Sequence, residues 1–316
     1  MAILHGDHFD DEGLMAEGDS PTVARRRVRL AIREAREASN LTQLQVAEQM
    51  EWSLSKVIRI EAGEVSISVN DLRPLLAFIG VKDRHEVAAL LADARIARTR
   101  QRKSWHQRPE FREHMSDALR RLIEYEVEAT AIRSYSVYYP IGSLQIPEYA
   151  AALTGGWSHE MTPESLARKV EARRLRRETI LSRLGPLKIY LVLDQSVFER
   201  TIGGPAILAA QLRELHDLAT RGLIEIRMLP FDMDSPIANN ASFDLYTLGE
   251  GPGGEVMYRE NGLSDEIVED AAATARHRER FDQLWHVAAT EVDTIDFLKA
   301  RIATLETKLS SSEVST

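Results

Sequence analysis

Cysteine is missing from this sequence of 316 residues. Its absence excludes disulfide bonds, thiolate nucleophiles and every zinc finger that needs cysteine ligands. No stretch approaches about 18 consecutive apolar residues, which excludes a membrane-spanning helix. Residues 1–21 hold six acidic residues and no Lys or Arg, whereas a secretory signal starts with a basic segment. We interpret 1–21 as a disordered acidic tail and expect a cytoplasmic protein.

The net charge of −9 hides an uneven distribution of charge along the chain. Residues 22–103 contain 16 Lys or Arg and ten Asp or Glu, which gives this segment a net charge of +6. Residues 104–316 contain 24 basic and 33 acidic residues. A basic segment within an acidic chain is typical of a part that binds nucleic acid. We therefore predict a nucleic-acid-binding domain over 22–103.

Apolar residues in this basic segment recur at helical spacing and predict a compact all-α bundle. Thr42 and Gln45 have the spacing of a capping box, and Ser53 is placed to cap the next helix. The second helix should bury Leu44, together with Ala47 and Met50. The predicted helices span about residues 22–38, 43–50, 54–62 and 70–79, and a fifth begins near residue 83.

The segment "LTQLQVAEQMEWSLSKVIRIEAGE", residues 41–64, resembles the Cro/C1-type (XRE) helix-turn-helix. A generic helical hairpin is the alternative. The resemblance implies that the third helix lies in the major groove of double-stranded DNA and that Gln43 binds a phosphate. It also implies a structural ion pair between Arg36 and Glu61. The residues with which it would contact the operator are Gln43, Ser53, Leu54, Ser55, Lys56 and Arg59.

Three residues depart from the usual pattern of that family. Glu51 stands where a turn glycine is usual, which predicts a strained or differently shaped turn. Leu54 replaces a glutamine, which favours apolar contact with a thymine methyl over bidentate hydrogen bonding. Ile58 replaces a serine and is expected to touch DNA sugars or to pack. The departures affect which bases are read, while the mode of reading stays the same.

The remaining chain predicts an α+β domain with a small mixed sheet over 104–290. A strand ending near Leu193, a helix and the strand "LIEIRMLPF" predict a βαβ unit, and two strands around "EGPGGE" predict an antiparallel hairpin. The segments "SLQIPEYAAAL" and "ARKVEARRLRRETIL" resemble the DUF5753-type effector domain that follows such a helix-turn-helix in bacterial regulators. That resemblance implies a small DUF397-type protein partner.

The end of the chain, 291–316, is predicted to form a long helix. Its apolar residues are spaced by three and four, as in a coiled-coil heptad. We interpret this stripe as an oligomerisation seam for a homodimer, with packing against the chain's own sheet as the alternative. The seam residues are Ile295, Leu298, Ile302, Leu305 and Leu309.

The sequence contains no recognisable pair of a nucleophile and a base, and its nine histidines lack the spacing of metal ligands. We expect no enzyme activity, no cofactor and no metal. The leading hypothesis is a homodimeric DNA-binding transcriptional regulator whose C-terminal domain receives a small protein or a ligand. The alternative is an antitoxin-like interaction protein that sequesters a DUF397-type partner, with operator binding secondary. A third hypothesis is an enzyme that its helix-turn-helix tethers to DNA.

Overall fold

A computed structural model describes residues 21–99, 105–155, 162–233, 241–249, 254–260 and 265–313. The chain divides into two compact units, Met1–Arg100 and Gln101–Thr316. Most of the predicted acidic tail lies outside the described residues; Pro21, the last residue of that range, is buried at the start of the first helix. Over the described ranges, no helix combines the length and apolar character needed to cross a membrane.

The first unit is the predicted bundle of five helices. Its core contains Val28 and Ile32 of the first helix, Val57 and Ile60 of the third, and the wholly buried Leu72 of the fourth. Serine, threonine or aspartate side chains cap four of the helices by accepting a backbone N–H, which fixes where each begins. The helices are α1 Pro21–Ala38, α2 Gln43–Gln49, α3 Leu54–Glu61, α4 Val69–Phe78 and α5 Arg84–Ile96.

The second unit is built on a six-stranded mixed sheet in the order β3-β2-β1-β4-β5-β6. β1, β2 and β3 run parallel, whereas β4, β5 and β6 pair antiparallel. The predicted hairpin is the β4–β5 pair, although its turn at 250–253 lies outside the described residues. The strands are β1 Ala131–Ser136, β2 Lys188–Asp194, β3 Glu225–Leu229, β4 Phe243–Thr247, β5 Glu255–Glu260 and β6 Asp265–Val268.

Helices cover both faces of this sheet. The helices are α6 Pro109–Arg112, α7 Asp117–Glu128, α8 Pro147–Gly155, α9 Pro163–Ser182, α10 Gln195–Glu199, α11 Pro205–Thr220, α12 Ala271–Val287 and α13 Glu291–Glu313. On one face, α12 places Phe281 and Leu284 against Tyr135 and Leu245. The other face carries Ile132 and meets α9, α11 and α13. The predicted βαβ unit is β2–α11–β3, since β2 and β3 pair in parallel.

The predicted oligomerisation seam on α13 is covered by the chain itself. Leu298 and Leu305 are 0% and 1% exposed and belong to the same core as the sheet. Ile295 and Ile302 are partly buried against that core, and Leu309 is partly buried near the end of α13. The two fully buried leucines are therefore not available to a second chain. The stripe packs within its own chain, which was the alternative interpretation.

Polar contacts also hold α13 in the second unit. Arg301 forms an ion pair of 2.9 Å with Glu199 and donates to the carbonyl of Phe198. Arg213 of α11 donates to Glu306 at 3.0 Å. The spacing of the stripe cannot distinguish an interface with a second chain from packing against the same chain, because the two have the same apolar periodicity. Residues 291–313 thus belong to the second unit.

Candidate nucleic-acid interface

Helix α3 follows α2 closely, and its two sides differ in exposure. Val57 and Ile60 are buried in the core of the first unit. On the other side Leu54, Ser55, Ile58 and Arg59 are exposed. Because these four positions fall at spacings of one and four, they share one face of the helix. This exposed face contains three of the predicted DNA contacts and Ile58.

The turn between α2 and α3 departs from ideal geometry where the sequence predicted it. Glu51 has a φ of +54°, a left-handed conformation that side chains rarely adopt. The prediction of a strained turn at this residue is confirmed. At the far end of α3, Gly63 has a φ of +78° and its N–H donates to the carbonyl of Ile60, while Glu64 donates to Arg59. These two hydrogen bonds form a Schellman motif, which ends the helix at a glycine.

Lys56, a predicted DNA contact, is held within the domain. Its ammonium lies 3.3 Å from a carboxylate oxygen of Asp71 and 3.8 Å from the centre of the Trp52 ring. A cation above an aromatic face is attracted by the ring quadrupole, and the carboxylate adds a second attraction. Lys56 therefore reaches DNA only by giving up these contacts or by extending past them.

Ser53 and Gln43 are also engaged inside the protein. The Ser53 hydroxyl accepts the backbone N–H of Lys56 at 3.2 Å, as predicted for an N-cap. The Gln43 side chain donates to Glu61 at 2.9 Å. The resemblance implied that Gln43 binds a phosphate, but its amide group is directed into the domain. The residue buttresses the helix pair, because it joins the start of α2 to the end of α3.

Glu61 is the centre of a small network that links three helices. Arg36 of α1 donates to both of its carboxylate oxygens, at 2.7 and 3.0 Å, and also to the carbonyl of Leu41. The hydrogen bond to Glu61 raises the pKa of Arg36 above its ordinary value. The two side chains are 11% and 4% exposed, so the pair is largely shielded from water. Its position indicates a structural role, in which α1 and α2 fix the angle of α3.

Arg59 is the predicted contact with the greatest freedom. Its nearest acidic partner is Glu64, 3.3 Å away, and the two side chains are 54% and 61% exposed. Such exposed pairs contribute little to stability, typically below about 1 kcal/mol. A phosphate can therefore replace Glu64 at small cost.

Three residues of this surface were missed or misplaced by the sequence prediction. Leu44 was expected in the core, yet it is 51% exposed on α2, while Val46 is buried in its place. Trp52 and Asp71, which hold Lys56, were not predicted. The contact between Lys56 and Asp71 joins α3 to α4 across 15 residues, and no local pattern announces it.

The second unit carries a group of charged residues beneath β1, β4 and β5. Arg176 of α9 makes two hydrogen bonds to the carboxylate of Glu126, at 2.7 and 2.9 Å. Asp244, on β4, is half-buried and keeps some contact with solvent. Its burial raises the pKa of Asp244 to about 7.

Part of the segment "SLQIPEYAAAL", which resembles the DUF5753 type, is buried, namely residues 143–146 together with 149 and 150. Gln145 donates to the carbonyl of Pro140 at 2.8 Å and accepts from Arg173 at 3.0 Å. Tyr149 is fully buried beside it in the core of the second unit. Arg174, also on α9, pairs with Glu171 and Glu178 of its own helix. Arg174 thus lies on the solvent side of α9, whereas Arg173 and Arg176 of the same helix bond to residues within the fold.

Comparison with known families agrees with both units. A model described as a helix-turn-helix domain matches residues 28–90, which include α2 and α3. A model described as a domain of unknown function, DUF5753, matches residues 119–300, more than half of the chain. The chain belongs to the DUF5753 family. No curated protein and no solved structure matches the chain.

The DUF5753 match includes all six strands of the sheet and extends into α13, where it ends at residue 300. It therefore includes Leu298 of the former seam, while Leu305 lies beyond its end. The helix-turn-helix match ends within α5. In this DUF5753 protein the first unit is the DNA-binding part of a regulator, and the exposed face of α3 is its candidate reading surface.

Proposed function

We propose that this protein is a sequence-specific transcriptional regulator that binds an operator through the exposed face of α3. The observation that carries the proposal is that face, which projects Leu54, Ser55 and Arg59 from a helix braced by Arg36 and Glu61. A helix held at a fixed angle on a basic module is what insertion into the major groove requires.

Two modules acting together are part of the proposal. One helix-turn-helix contacts a single half-site, which rarely gives enough discrimination against a genome of competing sites. We therefore propose a homodimer in the cytoplasm that binds two half-sites about 34 Å apart. The two buried leucines of α13 do not supply the dimer surface.

We further propose that the second unit receives a small protein partner or a ligand and acts by binding, without catalysis. The DUF397-type partner remains a prediction from the resemblance. So does the antitoxin-like role.

The proposal is tested by selecting DNA from a random library with the full-length protein and sequencing what it retains. We expect a motif with two related halves, and a complex of two chains per duplex in analytical ultracentrifugation. Binding should weaken as salt rises, because phosphate contacts release counterions. Retention of DNA without any sequence preference would contradict the regulator function. A specific complex with one chain would contradict the dimer alone.

A further inference from the structure

The outer side of the helix pair α2 and α3 is unusually apolar. Among the described residues of the first unit, the large hydrophobic side chains that remain exposed are Leu44 at 51%, Leu54 at 40% and Ile58 at 44%. All three lie on α2 or α3. Single exposed hydrophobic residues are ordinary, but the concentration of all of them on the helix pair is not what chance placement gives.

Leu54 and Ile58 stand one turn apart on the same face of α3. Val57 and Ile60 are buried on the side of α3 that is turned to the core. A surface helix normally pairs one apolar face with a polar one, and α3 instead carries aliphatic side chains on both. The outer pair therefore has no role in the core of the first unit.

The polar side chains that could read bases are mostly engaged elsewhere. Lys56 is held by Trp52 and Asp71, and the amide of Gln43 is directed to Glu61. At the start of α3, where a regulator of this kind usually reads bases, Leu54 has no hydrogen-bonding group at all. Ser55 and Arg59 are therefore the two polar side chains of α3 that are best placed for hydrogen-bond readout.

The chemistry of the major groove identifies what an aliphatic side chain can recognise there. The C5-methyl group of thymine is the apolar group that a base edge presents in that groove. Every other recognition group on the four base pairs is a hydrogen-bond donor or acceptor. The exposed Arg59 beside them, in a unit that matches a helix-turn-helix model, favours DNA over an apolar protein partner as the occupant of this face.

We propose that Leu54 and Ile58 recognise thymine by contact with its methyl group, so that the operator carries thymines opposite the first two turns of α3. This inference rests on the proposed function, since it concerns the same surface. Specificity would then depend mainly on burial of methyl groups at these positions, and less on bidentate hydrogen bonds.

The test replaces thymine by deoxyuridine, which lacks only the methyl group, at single positions of the selected operator. We expect the affinity of the full-length protein to fall about fourfold at one or two positions in each half-site, the effect of losing one buried methyl. The ratio of the two affinities should not change with salt, because no phosphate is altered. Equal binding of all the deoxyuridine operators would overturn the inference and leave the proposed function standing.

Variants of the protein assign the effect to a side chain. Leu54→Ala should bind the thymine and deoxyuridine operators equally at the sensitive position, while Leu54→Met should preserve the difference. Leu44→Ala is the matched control, since Leu44 is as exposed but lies on α2, and the difference should persist in it. Persistence of the full difference in both Leu54→Ala and Ile58→Ala would overturn the assignment. Failure to select any operator would instead refute the proposed function.

Discussion

Helices α3 and α13 each carry an apolar stripe, and the two stripes have opposite fates. On α3, Leu54 and Ile58 remain exposed to solvent, while on α13, Leu298 and Leu305 are sealed inside the second unit. From the spacing alone, the α13 stripe was the better candidate for contact with another molecule. The comparison teaches that periodicity identifies an apolar face, but that the neighbouring elements decide whether the face is covered.

The difference has a physical origin in what surrounds each helix. α13 has 23 residues and lies against α11 and β3, where a large sheet needs covering. α3 has only eight residues, and one face is enough to complete a small bundle. The outer face of α3 is therefore not needed for packing within the first unit.

The largest expected effect comes from truncating the buried stripe. Leu298→Ala should lower the free energy of unfolding of the second unit by about 2–5 kcal/mol, because it leaves a cavity in a packed core. Urea unfolding followed by circular dichroism measures the change. Val292→Ala on the same helix is the control, since Val292 is 69% exposed and should change stability by no more than about 0.5 kcal/mol. If the two variants had equal stability, the packing of α13 would be wrong.

The next effect concerns the brace behind α3. Arg36→Ala should destabilise the first unit by roughly 2–3 kcal/mol, somewhat below the cost of breaking a fully buried pair because Arg36 keeps some contact with water. Loss of DNA binding should follow the loss of stability. The control is Arg33→Ala, which removes an exposed pair with Glu37 and should cost below about 1 kcal/mol. An unchanged melting temperature for Arg36→Ala would refute the structural role.

A smaller effect is expected from pH in the second unit. The pKa of Asp244 is raised from 3.8 to about 7, so between these values the native protein holds a proton that the unfolded chain has released. The free energy of unfolding should therefore fall as pH rises through this window and level off above about pH 7. Because Asp244 keeps some solvent contact, we expect a change of roughly 1–2 kcal/mol, reduced from the full linkage value.

Asp244→Asn tests this dependence, because the amide cannot ionise. The variant should lose most of the slope between pH 5 and pH 8 in urea unfolding and should be more stable than the parent at pH 8. Asp217→Asn is the control, since Asp217 is 71% exposed on α11 and its replacement should leave the slope in place. A parental slope in Asp244→Asn would show that another group titrates.

The smallest effect on stability, and a direct one on DNA, is expected at the exposed face of α3. Arg59→Ala should leave the melting temperature unchanged and reduce the salt dependence of operator binding by about one unit of slope if Arg59 contacts a phosphate. Lys56→Ala should weaken binding less, because Lys56 already has partners in the free protein. Arg221→Ala, in the second unit, should have no effect. Parental binding by both α3 variants would refute the groove assignment.

Local signals explain most of what the sequence predicted. The capping box at Thr42 and the cap at Ser53 depend on residues close in sequence, and the structure confirms both. The ion pair of Arg36 and Glu61 was expected only from resemblance, because 25 residues separate its members. The five-helix order and the βαβ unit follow from periodicity.

The failures concern surfaces that depend on tertiary neighbours. Leu44 was placed in the core because it fits the apolar spacing, but Val46 and Ala47 already fill the inner face of so short a helix. The contact between Gln43 and Glu61 was missed because 18 residues separate the two, and the phosphate contact of Gln43 stays a prediction. The α13 seam was assigned to a second chain because the covering helix α11 cannot be recognised from the seam itself.

The caps on the reading helices also bear on the rates at which this protein associates with DNA and dissociates from it. Thr42 and Ser53 fix the starts of α2 and α3, and Gly63 closes the end of α3 before any operator is present. No part of the pair has to fold on arrival, so little ordering entropy opposes association. Encounter should then be fast and steered by charge, and differences between operators should appear in how long each complex lasts. Residence time is therefore the quantity by which this rigid pair distinguishes one site from another.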